Sequence, residues 1–222
     1  MAQRHDETAA ARRALIRHIE RLARQASQQV YDAVKAPGIL ESIAAVPREE
    51  FVPAEESCAA YYDEPLSIGY GQTISQPFIV ALMTGLLRPN AKQRILEIGT
   101  GSGYQAAVLS RLVAHVYSIE IVAPLAERAK RKLAEMGVVN VSVRVGDGHA
   151  GWPEAAPFDG IIVTAAADAV PEALLSQLAN GGRLVIPLGT REQMLVVVER
   201  IADGTTSTTD VIPVRFVPFV AG

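Results

Sequence analysis

The sequence of 222 residues has a single cysteine, Cys58. One thiol excludes an intrachain disulfide framework and points to a reducing compartment; a small, buried, apolar role is the ordinary expectation for it. Aromatic residues are scarce at 5%, with one tryptophan, too few for the stacking platform of an RNA reader. Positive charge is not in excess either. The formal net charge is −3, so no global basic field exists to hold nucleic acid or anionic lipid. No hydrophobic run approaches the roughly 20 residues of a membrane span. The polar start MAQRHDETAAARR, with Asp6 and Glu7, lacks the apolar centre of a secretory signal. A cytoplasmic protein without nucleic-acid or membrane partners is expected. The four histidines, His5, His18, His115 and His149, are scattered and form no metal-ligand spacing with Cys58, so no metal site is expected.

What is present suits one packed α/β domain. Hydrophobic residues make up 49% and charged residues 20%, enough for a well-buried core. Over residues 8–34, Leu15, Ile16, Ile19, Leu22, Ala23, Ala26 and Val30 recur at helical spacing, and the spacing predicts one helix ended by Pro37-Gly38. A short helix is expected at 39–45 and another at 78–87. Between them residues 52–77 read as a long loop, which in a compact domain is a mark of function. From Arg94 onward, strands are expected at 94–98, 115–120, 141–145, 159–164, 183–187, 194–201 and 211–220. Helices are expected at 103–113, 124–136 and 171–179. Strand and helix alternation predicts a mostly parallel sheet with helices on both faces and antiparallel pairing among the last strands. The organisation is then a single domain over 1–222: an N-terminal helical extension (1–38), a helix with a loop (39–90) and an α/β core (91–222).

The first core strand runs into Gly99-Thr100-Gly101-Ser102-Gly103 and a helix follows. Alternate glycines let the backbone turn tightly and come close to a nucleotide. About 20 residues on, Glu120 ends the second strand, where a carboxylate can accept hydrogen bonds from ribose hydroxyls. A dinucleotide fingerprint asks for a small residue where Tyr104 stands, and Glu97 would repel a diphosphate. Acids suit a cofactor that carries an ammonium and a sulfonium, which favours S-adenosylmethionine. Asp147, after the third strand, is placed to accept from an adenine amino group, with Gly148 leaving room for the ring. Taken alone, Asp147 is equally a turn former and Glu120 a helix cap. It is their placement at consecutive strand ends that points to a ligand.

With these residues in hand, the chain resembles the protein-L-isoaspartate O-methyltransferase family from about residue 40 to 220. The matching segments are VPREEFV (46–52), GYGQTISQP (69–77), RILEIGTGSGYQAAVL (94–109), VGDGHAGW (145–152), APFDGIIVTAA (156–166), GGRLVIPLG (181–189) and VRFVPFV (214–220). The glycine turn is common to many methyltransferases; GQTISQP is far more restricted. The resemblance implies a Rossmann-like methyltransferase sheet and Ser75 as the active-site hydroxyl. It further implies that Gln72, Thr73, Ile74 and Ser75 cover the cofactor with Val80 nearby. Glu97, Gly99, Gly101, Gly103, Glu120, Ile121, Asp147 and Gly148 match cofactor-contacting positions, and Thr164 matches the substrate wall, although it is equally an ordinary strand-end threonine. Two features depart from the family pattern: the extension through Lys35 is longer, and His149 follows the Asp-Gly pair.

The activity implied is methyl transfer from S-adenosylmethionine, with S-adenosylhomocysteine as product, to the α-carboxylate of L-isoaspartyl residues in damaged proteins and peptides. The ester then closes to a succinimide. A carboxyl of pKa about 3 to 4 is ionised at neutral pH, so the absence of an evident base is consistent with this chemistry. Ser75 would orient the acceptor rather than attack, having no identifiable His–acid partner. Other readings are a methyltransferase for a small metabolite or RNA, a nicotinamide-dependent dehydrogenase, disfavoured by Tyr104 and Glu97, and a non-catalytic adaptor, disfavoured by the intact GQTISQP. A monomer or a small homo-oligomer fits equally.

Overall fold

Apolar runs such as Ile95-Leu96 and Ile161-Ile162-Val163 suit strands covered on both faces. In the computed structural model of the chain they lie, fully buried, in the middle of a seven-stranded sheet. The structure describes residues 2–202 and 204–221, with side chains from residue 7 onward; His5 lies outside them. The sheet comprises β3 (Arg94–Ile98), β4 (His115–Glu120), β5 (Val141–Val145), β6 (Phe158–Val163), β7 (Leu178–Leu188), β8 (Gln193–Arg200) and β9 (Thr206–Val214). Its order is β5-β4-β3-β6-β7-β8-β9. The pairs from β5 through β7 are parallel, and β8 and β9 are antiparallel additions. Strand order reverses between β3 and β6, the place where open α/β sheets form a crevice.

Helices α4 (Pro77–Leu86), α5 (Tyr104–Ser110) and α6 (Ala123–Glu135) cover one face, sharing its core with Ile95 and Val116. Outside them lie α1 (Ala2–Gln25), α2 (Gln28–Val34) and α3 (Ile39–Ala45). The other face buries Leu96, Ile98, Phe158 and Ile161 under α7 (Glu172–Gln177). This is the expected Rossmann-like arrangement with an N-terminal helical appendage. No helix among the described residues is long and apolar enough to cross a membrane.

Several expectations need correction. The helix expected over 8–34 is two helices, because Ser27 turns extended (ψ 158°) and its hydroxyl accepts from Val30 N at 3.4 Å, an N-cap. The supposed loop contains a hairpin, β1 (Leu66–Gly69) and β2 (Gln72–Ile74), closed by Tyr70 and Gly71. Both turn residues have positive φ, 57° and 71°, which is the two-residue turn that matches strand twist. The strand expected at 211–220 starts at Thr206 and ends at Val214. Pro213 is tolerated because β9 is an edge strand, but Pro218 has no N–H to continue a ladder. The chain instead crosses the strand ends, with Val217 O accepting from Ala166 N at 2.8 Å and Phe219 N donating to Ala166 O at 2.7 Å. The helix expected at 171–179 stops at Gln177, and β7 begins directly at Leu178. Cys58 is exposed rather than buried: it sits in a 3-10 turn, Ala54–Ala59, none of whose residues is buried.

Candidate active site

At the carboxyl ends of β3, β4 and β6 lies a cleft of about 590 Å³, its open mouth included. Ile98, Gly99, Gly101, Glu120 and Ile121 form its floor, Gln72 and Thr73 of the hairpin face it, and Val217 to Val220 close one side. The floor is built by the glycine turn. Gly99, Gly101 and Gly103 take φ of 94°, 54° and 90°, the left-handed region where a Cβ is penalised. Gly99 N donates to Ile119 O at 2.8 Å and Gly101 N to Glu120 Oε2 at 2.7 Å. Glu120 Oε1 accepts from Val122 N at 2.9 Å. The carboxylate is therefore fixed by two backbone donors while its residue still lines the cleft.

A second cleft adjoins the first, of about 960 Å³ with its mouth, and Ser75, Gln76, Ile79, Arg215 and Phe216 help to line it. Thr73, Thr164 and Val217 belong to both. Thr164 ties them together: its hydroxyl donates to Gly99 O at 2.8 Å and Ile98 O at 3.1 Å. Ser75 faces only the second cleft. Its carbonyl accepts from Arg48 Nη2 at 3.1 Å, and among the described residues its hydroxyl is uncommitted. Arg48 is completely buried and also donates to Ala60 O (2.6 Å) and Glu64 O (3.0 Å). Burial pushes its guanidinium pKa below the usual arginine value.

Not every residue expected at the cofactor reaches the first cleft. Gln72, Thr73, Gly99, Gly101, Glu120, Ile121, Gly148 and Thr164 do. Ile74 and Val80 are buried in the hairpin and in α4, and Gly103 turns the chain into α5 against Ala129. Asp147 stands beside Gly148, partly exposed, where Oδ1 accepts from His149 N at 2.8 Å and meets His149 Nδ1 at 2.8 Å. Only glycine fits at 148, since a Cβ there would collide with Ile98 and come within 3.1 Å of Phe219.

Glu97 is turned away by strand alternation onto the same face as Ile95, fully buried, and accepts from the Ser118 hydroxyl, which in turn meets Thr100 Oγ1. Among the described residues its other oxygen, Oε1, has no hydrogen-bond partner. Burial pushes its carboxyl up to about 8; the Ser118 hydrogen bond opposes this and the nearby Glu120 charge adds to it. Glu120 in the floor and the absence of Lys or Arg from the cleft's lining among the described residues suit a cationic nucleoside ligand. They do not suit a diphosphate. Among the described residues no three His, Cys, Asp or Glu side chains could hold a metal ion.

The wall formed by Val217, Pro218, Phe219 and Val220 was missed in the sequence because 211–220 reads as one strand; Pro218 was the available signal. Phe219 is held by a stacked His149 ring, 3.9 Å between centroids and 15° between planes. Ala165 was likewise not anticipated.

With this geometry established, comparison with known proteins places the chain among relatives. The family model for Protein-L-isoaspartate(D-aspartate) O-methyltransferase (PCMT) matches residues 16–222. The chain is 52% identical over 219 residues to protein-L-isoaspartate O-methyltransferase 2 of Syntrophobacter fumaroxidans, covering 98% of this chain and 89% of that one. It is 57% identical over 183 residues to a protein-L-isoaspartate O-methyltransferase of Anaeromyxobacter dehalogenans, covering 81% and 88%. A solved protein-L-isoaspartate O-methyltransferase superposes with a TM-score of 0.80 at 31% identity, over 95% of this chain and 66% of that one. At 21% identity, a putative relative from Plasmodium falciparum, solved with S-adenosyl-L-homocysteine, shares the fold with a TM-score of 0.78, over 94% and 98%.

Proposed function

The chain belongs to the protein-L-isoaspartate O-methyltransferase family, and we propose that its two adjoining clefts divide the reaction, the donor under Glu120 and the acceptor carboxylate beside Ser75. The enzyme is an S-adenosylmethionine-dependent protein carboxyl methyltransferase that acts on L-isoaspartyl residues of damaged proteins and so initiates their repair. When bound, S-adenosylmethionine supplies an activated methyl group on a sulfonium and leaves as S-adenosylhomocysteine.

The residues divide by position. Gln72, Thr73, Gly99, Gly101, Glu120, Ile121 and Gly148 hold the cofactor directly, with Glu120 accepting from the ribose. Ile74, Val80, Glu97 and Gly103 act from behind, setting the shape of the cleft, and Asp147 beside Gly148 accepts from the adenine amino group. In the second cleft the Ser75 hydroxyl donates to the α-carboxylate, and Thr164 forms part of the wall beside it. No side chain needs to remove a proton, because the acceptor is already a carboxylate at neutral pH. What these residues contribute is orientation and exclusion of water, and orientation alone is worth on the order of 7 to 11 kcal/mol of barrier. The observation that carries this reading is the uncommitted Ser75 hydroxyl in a cleft that shares Thr73 and Thr164 with the cofactor cleft.

The chain acts as a single methyltransferase domain over 1–222. It works in the cytoplasm, where an exposed thiol such as Cys58 stays reduced. It functions as a monomer or small homo-oligomer, without nucleic-acid or membrane partners. The test is radiolabelled methyl transfer to paired peptides that differ only in an L-isoaspartyl or an L-aspartyl residue. Label should enter the isoaspartyl peptide alone; equal labelling of both, or of neither, would reject the assignment.

A further inference from the structure

Helix α4 starts directly after Ser75-Gln76, and its N-cap residue, Gln76, makes no capping bond with its own side chain. The open donors of a first helical turn need acceptors from somewhere. One is met from a distance: Asp63 Oδ1 accepts from Phe78 N at 2.8 Å. Its second oxygen, Oδ2, accepts from Gln76 Nε2 at 2.8 Å. The Asp63 side chain is only 4% exposed, so both bonds end on a largely buried carboxylate, where charge-assisted hydrogen bonds are strong. A local Ser or Asp at position 76 could cap α4. A cap sent from residue 63 also fixes where the segment carrying Ser75 lies relative to the rest of the site.

Asp63 is itself held from the N-terminal extension. His18 Nε2 of α1 lies 3.5 Å from Asp63 Oδ2. Two residues before Asp63, the Tyr61 hydroxyl accepts from Arg12 Nε and Nη2 of α1 at 3.1 and 2.9 Å and donates to Glu49. Arg12 Nη1 also reaches Ala44 O at 3.2 Å. Ser75 is thus held on both sides, its own carbonyl by the buried Arg48 and the following residues by Asp63.

We propose that Asp63 is a positioning residue for methyl acceptance, fixing Ser75 through Gln76 and Phe78, with α1 setting the place of Asp63 through Arg12 and His18. This gives the N-terminal extension a function, that of a strut for the acceptor loop, and it rests on the role assigned to Ser75 above.

The test is a double-mutant cycle on the full chain, reading kcat and KM for an isoaspartyl peptide together with affinity for S-adenosylhomocysteine. Asp63→Ala should lower kcat about 10- to 100-fold, the scale of a misplacement near 1 Å, with cofactor affinity and peptide KM little changed. In a Ser75→Ala background the same substitution should cost no more than about twofold, because residues acting through one another are not additive. Asp63→Asn should recover most of the loss: its Oδ1 can still accept from Phe78 N, and Gln76 can turn its amide. Arg12→Gln should show the same pattern, more weakly. Should Asp63→Ala fail to fold, Asp63→Asn and Arg12→Gln in both backgrounds carry the comparison. A wild-type-like Ser75→Ala would remove the reading beneath this one. A crippled Ser75→Ala, with Asp63→Ala at full turnover or with the two losses multiplying, would overturn the role of Asp63 alone.

Discussion

Replacing Glu97 by glutamine should make the protein more stable at pH 8 than the wild type, and the reason lies in one buried proton. The Glu97 carboxyl is fully buried and, chiefly for that reason, its pKa is pushed up from 4.5 to about 8. The unfolded chain gives up this proton near pH 4.5, whereas the native chain keeps it until about pH 8. Across that window the native state binds the extra proton, so the stability contributed by this group is complete below about 4.5 and is lost as pH rises to about 8. At 1.36 kcal/mol per pH unit the full loss approaches about 5 kcal/mol. Glutamine keeps the shape, can still accept from the Ser118 hydroxyl and does not titrate. Urea unfolding of both proteins at a series of pH values between 5 and 8.5, without ligand, isolates the effect, since all other groups are common to both. The two should nearly coincide at pH 5 and separate by several kcal/mol toward pH 8.5, glutamine the more stable. Parallel curves across the range would refute the placement of a protonated acid under the glycine turn. An acid that weakens the fold near neutrality and sits beneath the ligand cleft is of the kind retained for function.

Ser75→Ala should lower turnover of an isoaspartyl peptide about 10- to 100-fold while leaving S-adenosylhomocysteine affinity near wild type, measured by steady-state kinetics and calorimetry; unimpaired turnover would remove Ser75 from the mechanism. Gly99→Ala places a Cβ against the Thr164 hydroxyl at a φ of 94°, and should cost at least about 2 kcal/mol in urea unfolding. Adding Thr164→Ala should return only part of that loss, since the backbone strain remains. The exposed Cys58 should react with a thiol reagent in the native protein as fast as in the unfolded chain; a lag that tracks unfolding would place it inside.

The parts legible in the sequence are those whose signal is local. The run from β3 through the glycine turn into α5 is contiguous, and the alternation from 94 to 163 places Glu120 and Gly148 at neighbouring strand ends as expected. What escaped was non-local or backbone-specific. The β1–β2 hairpin has strands of four and three residues, too short for a period, and its turn puts Tyr70 as well as Gly71 at positive φ. No Gly or Pro marks the break between α1 and α2; Ser27 alone does it by capping. The side of β3 on which Glu97 falls is decided by which helices cover the sheet, and composition says nothing about that. The habits of cysteine predict a buried Cys58, whereas its neighbours Glu55 and Glu56 lie with it in the same exposed turn.

The same division runs through the site itself. The proposed cofactor half is made from consecutive strand ends, so its geometry follows once the sheet forms. The proposed acceptor half is assembled from Arg48, Asp63, Ser75 and the crossing segment after β9, and each depends on contacts many residues away. Methyl transfer demands that the two halves be fixed relative to each other more closely than either must be fixed alone. Thr164 meets that demand. It ends β6 at the point of strand reversal, its hydroxyl grips the carbonyls of Ile98 and Gly99, and its residue lines both clefts. A shift of the glycine turn therefore carries the acceptor wall with it. On the division of the clefts proposed above, the strand-end role of Thr164 is what would hold it in place as part of the substrate wall.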